Sequence, residues 1–288
     1  DRFHFPFQFA LNMSEHITDF SRLAVHTQTN KPWSLAECLE NYGTAGITAV
    51  SIWRNVIAPI GIGEAARLVK SSGLAVPALV RGGFFPAASE SGRQAALDEN
   101  RQIIDEAAAL GAEMVVLVVG AVPGIPLADA RQQVQDGIAG VLAHAESAHV
   151  RLAIEPLHPM YAGDKSCVTT MKQANDICGA LQHPLLGVAV DVYHVWWDDQ
   201  AQAEIARCGA NDWLFGFHIC DWRIPTRDLL TDRALMGDGC IDIAEIRGWV
   251  EAAGFDGYNE VEIFSEEQWA SDQVDYLARI KHAYLTQS

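Results

Sequence analysis

The sequence predicts a single-domain α/β protein closed into a (β/α)8 barrel, and three observations carry that prediction. A short apolar strand recurs after a helical stretch and a small-residue break. The recurrence counts to eight. The length, 288 residues, suits a fold that takes about 250 residues as one unit.

The first strand reads Leu23-Ala24-Val25-His26. Ser34-Leu35-Ala36-Glu37 then forms a capping box that opens the first helix, with a hydroxyl and a carboxylate placed to satisfy two unpaired amides. Ala45-Gly46-Ile47 leads into Ala49–Trp53, Ser72-Gly73-Leu74 into Ala75–Val80, and Leu110-Gly111-Ala112 into Met114–Val119. Each glycine falls where a helix end needs a left-handed residue. Later strands are Arg151–Glu155, Gly187–Asp191, Trp213–His218 and Tyr258–Ile263. Most are continuous apolar runs, the pattern of a parallel sheet covered by helices. Ala95–Leu110 and Val134–Ala148 carry apolar residues at three- and four-residue spacing, and helices over Ile243–Ala253 and Glu266–Tyr284 complete the set. An open doubly wound sheet is the runner-up, but no GxGxxG follows the first strand. The barrel is expected over 22–288. Residues 1–21 form an aromatic-rich N-terminal extension, expected to pack on the barrel or on a partner subunit. The longest irregular stretch is Cys220–Asp242.

A formal net charge of −17 repels phosphate backbones and anionic lipid surfaces, so neither nucleic acid nor membrane is an expected partner. It also speaks against highly anionic substrates unless a local arginine overrides the field. No run approaches the 18 or more apolar residues that span a bilayer. The six cysteines form no CxxC pair, which reads as reduced thiols and a cytoplasmic protein. Asp1–Pro6 lacks a charged region followed by an apolar one, so no signal peptide is expected.

Barrel enzymes place their chemistry at the C-terminal ends of the strands. The fifth strand ends in Glu155, the sixth in Asp191, the seventh in His218 and the eighth in Glu262. Each alone has an ordinary explanation: a helix cap, a hydrogen-bonded histidine, a turn before Pro156. Four on consecutive strands converge on one point, where burial without a cation would crowd like charges. Carboxylates with one imidazole suit one divalent ion, Mn2+ or Mg2+ first, with Co2+ and Zn2+ behind them. Glu260 competes with Glu262, since both face one way; Glu262 lies nearer the mouth and is preferred.

At these residues the chain resembles a known family. Ile154-Glu155-Pro156-Leu157-His158-Pro159, Val190-Asp191-Val192-Tyr193-His194, Phe217–Trp222 and Gly254 through Glu262 resemble the xylose-isomerase-like barrel superfamily, the sugar phosphate isomerase/epimerase group. Met236–Asp242 is similar to the element that opens the group's last helical unit. The likeness runs from about Arg22 to the end of the chain. It implies that Glu155, Asp191, His218 and Glu262 bind the metal, and that Glu155 and Glu262 are the acid/base pair. His194 matches a histidine that touches substrate. Arg223 is the nearest candidate for an arginine that follows the metal histidine in epimerases. Endonuclease IV, a relative, takes extra histidines from its second and third strands; here those strands end in Trp53-Arg54 and Arg81-Gly82-Gly83.

The resemblance implies a small carbohydrate substrate and proton transfer next to its carbonyl, through an enediolate, giving an epimerase or isomerase. Loss of a leaving group from the same intermediate gives a lyase or dehydratase on a keto-sugar, keto-inositol or 3-keto-glycoside. A non-catalytic sugar-binding barrel is the third reading. Selectivity is expected from the rim: His158, Arg81, Trp53, Asp221, Trp196 and Arg223, with Arg54, Phe84, Tyr161, Lys165, Trp197 and His26 around them. Arg54 and Arg81 either bind a carboxylate or phosphate or lock the rim by salt bridges. The motif leaves the oligomeric state open.

Overall fold

The computed structural model describes residues 16–288. Of the expected N-terminal extension only its last residues are therefore described, and Ile17 and Phe20 pack against the core. In chain order the elements are β1 (Leu23–His26), α1 (Leu35–Thr44), β2 (Ala49–Trp53), α2 (Ile62–Ser72), β3 (Ala78–Gly83), α3 (Glu90–Leu110), β4 (Met114–Val118), α4 (Leu127–Ala148), β5 (Arg151–Ile154), α5 (Met171–Leu181) and β6 (Leu186–Asp191). Then follow α6 (Val192–Val195), α7 (Ala201–Ala210), β7 (Leu214–Ile219), the short β8 (Asp221–Trp222) and β9 (Arg233–Ala234), α8 (Ile243–Ala252), β10 (Asn259–Val261), α9 (Glu266–Trp269) and α10 (Gln273–Gln287).

Eight parallel strands close in the order β1-β10-β7-β6-β5-β4-β3-β2, and β8 and β9 form a separate antiparallel pair. The predicted (β/α)8 barrel is what the chain forms. Two-residue periodicity sorts each strand. Val115 and Leu117 of β4 join the large core between strands and helices, whereas Met114 and Val116 fill the barrel with Ala78, Val80, Ala153 and Ala189. Small inward residues leave room for what stands two positions further along: Ala153 precedes Glu155, Ala189 precedes Asp191, Gly216 precedes His218. The register sets Asp191 beside His218 and His218 beside Glu260.

The capping box forms as read: Ser34 accepts from the Glu37 amide and Glu37 from the Ser34 amide. Such a cap stabilises a helix by about 1 kcal/mol. Gly73 and Gly111 take the left-handed conformation at helix ends, while His149 and Gln182 do the same without being glycine.

Three elements differ from expectation. β3 starts at Ala78 and runs on through Arg81-Gly82-Gly83, because Pro77 has no amide to donate to a ladder. The helix expected over Glu266–Tyr284 breaks in two at Ser271-Asp272, where Asp272 caps α10 by accepting from the Val274 and Asp275 amides. The irregular stretch Cys220–Asp242 contains the β8–β9 pair. All six cysteines are unpaired. Among the described residues no helix is long and apolar enough to cross a membrane.

Candidate metal centre

Glu155, Asp191, His218 and Glu262 each bring a donor atom to within 4.8 Å of the others, and all four are buried. They come from the adjacent strands β5, β6, β7 and β10. His218 Nδ1 lies 2.8 Å from Glu155 Oε1. Beneath them His26, His218 and Glu260 form a second group of the same compactness. Glu260 accepts from Ser51 Oγ at 2.5 Å and faces His26 Nε2 at 3.2 Å and His218 Nε2 at 3.9 Å. His26 Nδ1 meets Glu262 Oε1 at 3.0 Å and the Trp53 indole N–H at 3.1 Å. That nitrogen donates to the first or accepts from the second, not both.

An arginine that sequence reasoning missed completes the cluster. Arg233 Nη1 stands 2.9 Å from Asp191 Oδ2 and 3.0 Å from Glu262 Oε2, and also donates to the Glu262 carbonyl. Its other terminal nitrogen lies 3.2 Å from His194 Nε2. Its guanidinium stacks over Tyr193 and Phe264, 4.4 Å and 5.0 Å from the ring centres.

The fields in this site push like groups apart. Burial, reinforced by Glu262 and Glu155, raises the Asp191 carboxyl to about 7, although Arg233 pulls the other way. Burial also works to raise Glu262, but His26, Arg233 and His218 hold it well below the usual carboxylate range. Burial lowers His218, yet Glu155, Glu260 and Glu262 outweigh it and push the ring up to about 10. His26 is raised by Glu262 and Glu260 against burial.

The donors fit a divalent cation on charge and chemistry. Glu155, Asp191 and Glu262 carry three negative charges when ionised, and Arg233 returns one. Glu260 faces His26 as a pair of its own. Two negative charges remain, which one divalent ion neutralises. Three carboxylates and one imidazole suit Mn2+, Mg2+, Co2+ or Zn2+. With Nδ1 among the carboxylates, His218 turns its Nε2, which has no hydrogen-bond partner, toward Glu260. A metal-binding histidine commonly uses its second nitrogen in this way, donating to a carboxylate that fixes the ring.

The other expected site residues divide. His194 is buried beside Asp191 and Arg233; burial and Arg233 hold it well below the usual imidazole range. Its neutral ring accepts from the His158 amide, 3.2 Å from Nδ1, or from Arg233, since it has one lone pair to offer. His158 packs against Trp197 and Trp222, and Trp222 stacks on Tyr193 and touches Trp196. These rings line one side of the mouth as an aromatic wall. Trp53 stands edge-on to Phe264. Tyr161 donates to the Leu229 carbonyl, and Lys165 lies over Tyr161 and pairs with Asp164.

Asp221 and Arg223 are turned to holding the loop. Asp221 accepts from the amides of Gly237, Gly239 and Ile241. Arg223 pairs with Asp232 at 2.9 Å and with Glu267. Arg233, ten residues along, is the arginine that stands beside Asp191 and Glu262. Its only signal in the sequence is a basic residue inside a long irregular stretch.

The sequence pattern of the xylose isomerase-like TIM barrel family matches residues 39–280. The protein SMc04130 from Sinorhizobium meliloti 1021 is 48% identical, with a TM-score of 0.91 over 93% of this chain and 99% of that one. IolI, solved with a bound zinc atom, is 20% identical with a TM-score of 0.79 over 91% of this chain and 96% of that one. The E. coli 3-keto-D-glucoside 4-epimerase YcjR is 19% identical with a TM-score of 0.74 over 93% and 99%. No curated protein matches.

Proposed function

Because the chain belongs to the xylose isomerase-like TIM barrel family, we propose that it is a divalent-metal-dependent isomerase or epimerase of a sugar-like hydroxy-ketone. One observation carries the reading. Glu155 and Glu262 stand at the two ends of the β5-β6-β7-β10 arc, yet both reach the same point. A substrate held there meets a carboxylate from each side. A protein that only bound sugar would have no use for two opposed bases.

Glu155, Asp191, His218 and Glu262 would hold the cation, which when bound would supply Lewis-acid polarisation of a carbonyl next to a hydroxyl. Mn2+ or Mg2+ suits the oxygen-rich set best. His26, Arg233 and His218 keep the Glu262 carboxylate ionised, so it is free to accept a proton. It takes the proton from the carbon beside the carbonyl, and Glu155 delivers one to the other face or to the next carbon. Arg233 and His26 fix the direction of the Glu262 oxygens. His194 and the aromatic wall shape the space above. The zinc atom of IolI and the keto-glucoside epimerisation of YcjR support this class of chemistry.

Elimination begins with the same proton removal, so one assay separates the readings. Mn2+-loaded protein in heavy water is given ketohexoses, an inosose and a 3-keto-glucoside and followed by NMR. Solvent deuterium at one carbon with no fragment released is expected. Fragment release moves the reaction to a lyase, and no exchange with any of the three overturns the proposal.

A further inference from the structure

Two arginines follow β2 and β3, and the fold treats them differently. Arg54 is occupied: its Nε and Nη2 grip Glu106 at 2.7 and 3.1 Å, and Nη1 reaches Glu99. Arg81 has neither a hydrogen bond nor an ion pair among the described residues. Its guanidinium carbon lies 4.5 Å from the centre of the Phe84 ring.

Arg81 owes its direction to a break in the strand pattern. Val80 pairs with Val116 while Gly82 pairs with Leu117, so Arg81 is the extra residue of a bulge. Val80 faces the barrel interior. Simple alternation would send Arg81 outward to the helices, but a bulge re-aims its residue. Arg81 remains half-buried, in the field of Glu155 and Glu262. The bulge is clamped from behind. Asn100 of α3 accepts from the Gly83 amide and donates to the Gly83 carbonyl, both at 2.7 Å. Any side chain at Gly83 would collide with the Val118 carbonyl at 2.1 Å, and its φ is +107°. Thus Arg81-Gly82-Gly83 is a rigid mount for one unpaired guanidinium.

Taking the hydroxy-ketone reading as its basis, we propose that Arg81 is an oxyanion subsite, and that the substrate carries a carboxylate or a phosphate ester at the end away from its reacting carbonyl. The Arg81 guanidinium lies in the field of Glu155 and Glu262 but is bonded to neither, so its donors are free for a ligand. Its planar fork matches either oxyanion bidentately. A single arginine set among buried carboxylates suits one anionic group, which reconciles the site with a net charge of −17.

Calorimetry with the Mn2+-loaded protein compares D-fructose, D-fructuronate and D-fructose 6-phosphate, which differ at the far carbon alone. At least one anion is expected to bind ten-fold or more tightly than fructose, and the tighter of the two names the oxyanion. Arg81→Gln should bring that ratio to about one, and Arg81→Lys should keep part of it. Equal ratios in wild type and Arg81→Gln, or no preference for either anion in wild type, overturn the subsite. If Arg81 merely screens Glu155 and Glu262, Arg81→Gln shifts Mn2+ affinity and moves all three ligands together, which also overturns it. Deuterium exchange in the same samples reports the isomerase reading separately: an Arg81-dependent ratio without exchange sinks that reaction and leaves the anion preference standing.

Discussion

The two halves of the barrel mouth are built on different principles. The arc β5-β6-β7-β10 turns inward Glu155, Asp191, His218 and Glu262, four groups that meet one another. The arc β4-β3-β2-β1 turns inward Val118, Arg81, Trp53 and His26. Val118 packs on Leu157 and Tyr161, His26 leans on Glu262, and Arg81 lies half-buried over the Phe84 ring. One arc concentrates charge on a point; the other trims, steadies and selects. The chemistry is thus expected to fail with changes in the first arc and to change preference with changes in the second.

The sharpest break comes at Glu262. On the proposed mechanism Glu262→Gln removes a base and a metal oxygen together, and turnover should fall on the order of 10^3-fold, with weaker Mn2+ binding in calorimetry. Glu260, one layer deeper against Ser51 and His26, should matter less. Retained activity in Glu262→Gln with loss in Glu260→Gln would reverse the two assignments.

Arg233 joins the acidic arc from a loop, and its removal tests the charge count. Arg233→Met leaves Asp191 and Glu262 buried without their guanidinium, which should cost about 3–5 kcal/mol in urea unfolding of the metal-free protein. Mn2+ should then raise the melting temperature more than in wild type, because the cation meets more uncompensated charge. An equal rise in both proteins would mean that Arg233 does not share the carboxylates with the ion.

The pH dependence of the metal-free protein follows from the same crowding. Asp191, raised to about 7, and His218, raised to about 10, both bind protons more tightly folded than unfolded. Each contributes stability that is complete below its unfolded pKa and is lost as pH rises through the folded one. Metal-free protein should therefore weaken from about pH 4 to pH 7 as Asp191 loses its proton, and further toward pH 10 as His218 does, in thermal melts. Mn2+ should stabilise it more at pH 9 than at pH 6, since the Asp191 proton has then left and the ion competes with fewer protons. A stabilisation by Mn2+ that is the same at both pH values would count against shared ligands.

How much of this was readable from the chain follows from what each feature rests on. Eight strands and the four converging side chains rest on two-residue alternation and on residue type at a strand end, both local. Arg233 rests on a hairpin of two residues a side, with its neighbour Asp232 held by Arg223 and Arg227, and no periodicity announces it. Asp221 reads from the sequence as a rim residue, and Arg223 as the nearest match to the arginine that follows the metal histidine in epimerases. The sequence does not show that the chain leaves the barrel at that point, where Asp221 binds the loop amides and Arg223 pairs with Asp232. Arg54 and Arg81 looked alike as sequence, and a bulge and a clamp on α3 separated them.

The smallest expected effect bears on that pair. Arg54 grips Glu106 with two nitrogens, but its side chain is 30% exposed, and Glu99 is 63% exposed. Water and salt screen such a bridge, so Arg54→Ala should cost roughly 0.5–1 kcal/mol in urea unfolding. The preference for an anionic over a neutral ketose should not move, because Arg54 spends its donors on the helix side of β2. A ratio that falls in Arg54→Ala and persists in Arg81→Gln would transfer recognition from the bulge to the rim clamp, and the division of labour between the arcs would shift by one strand.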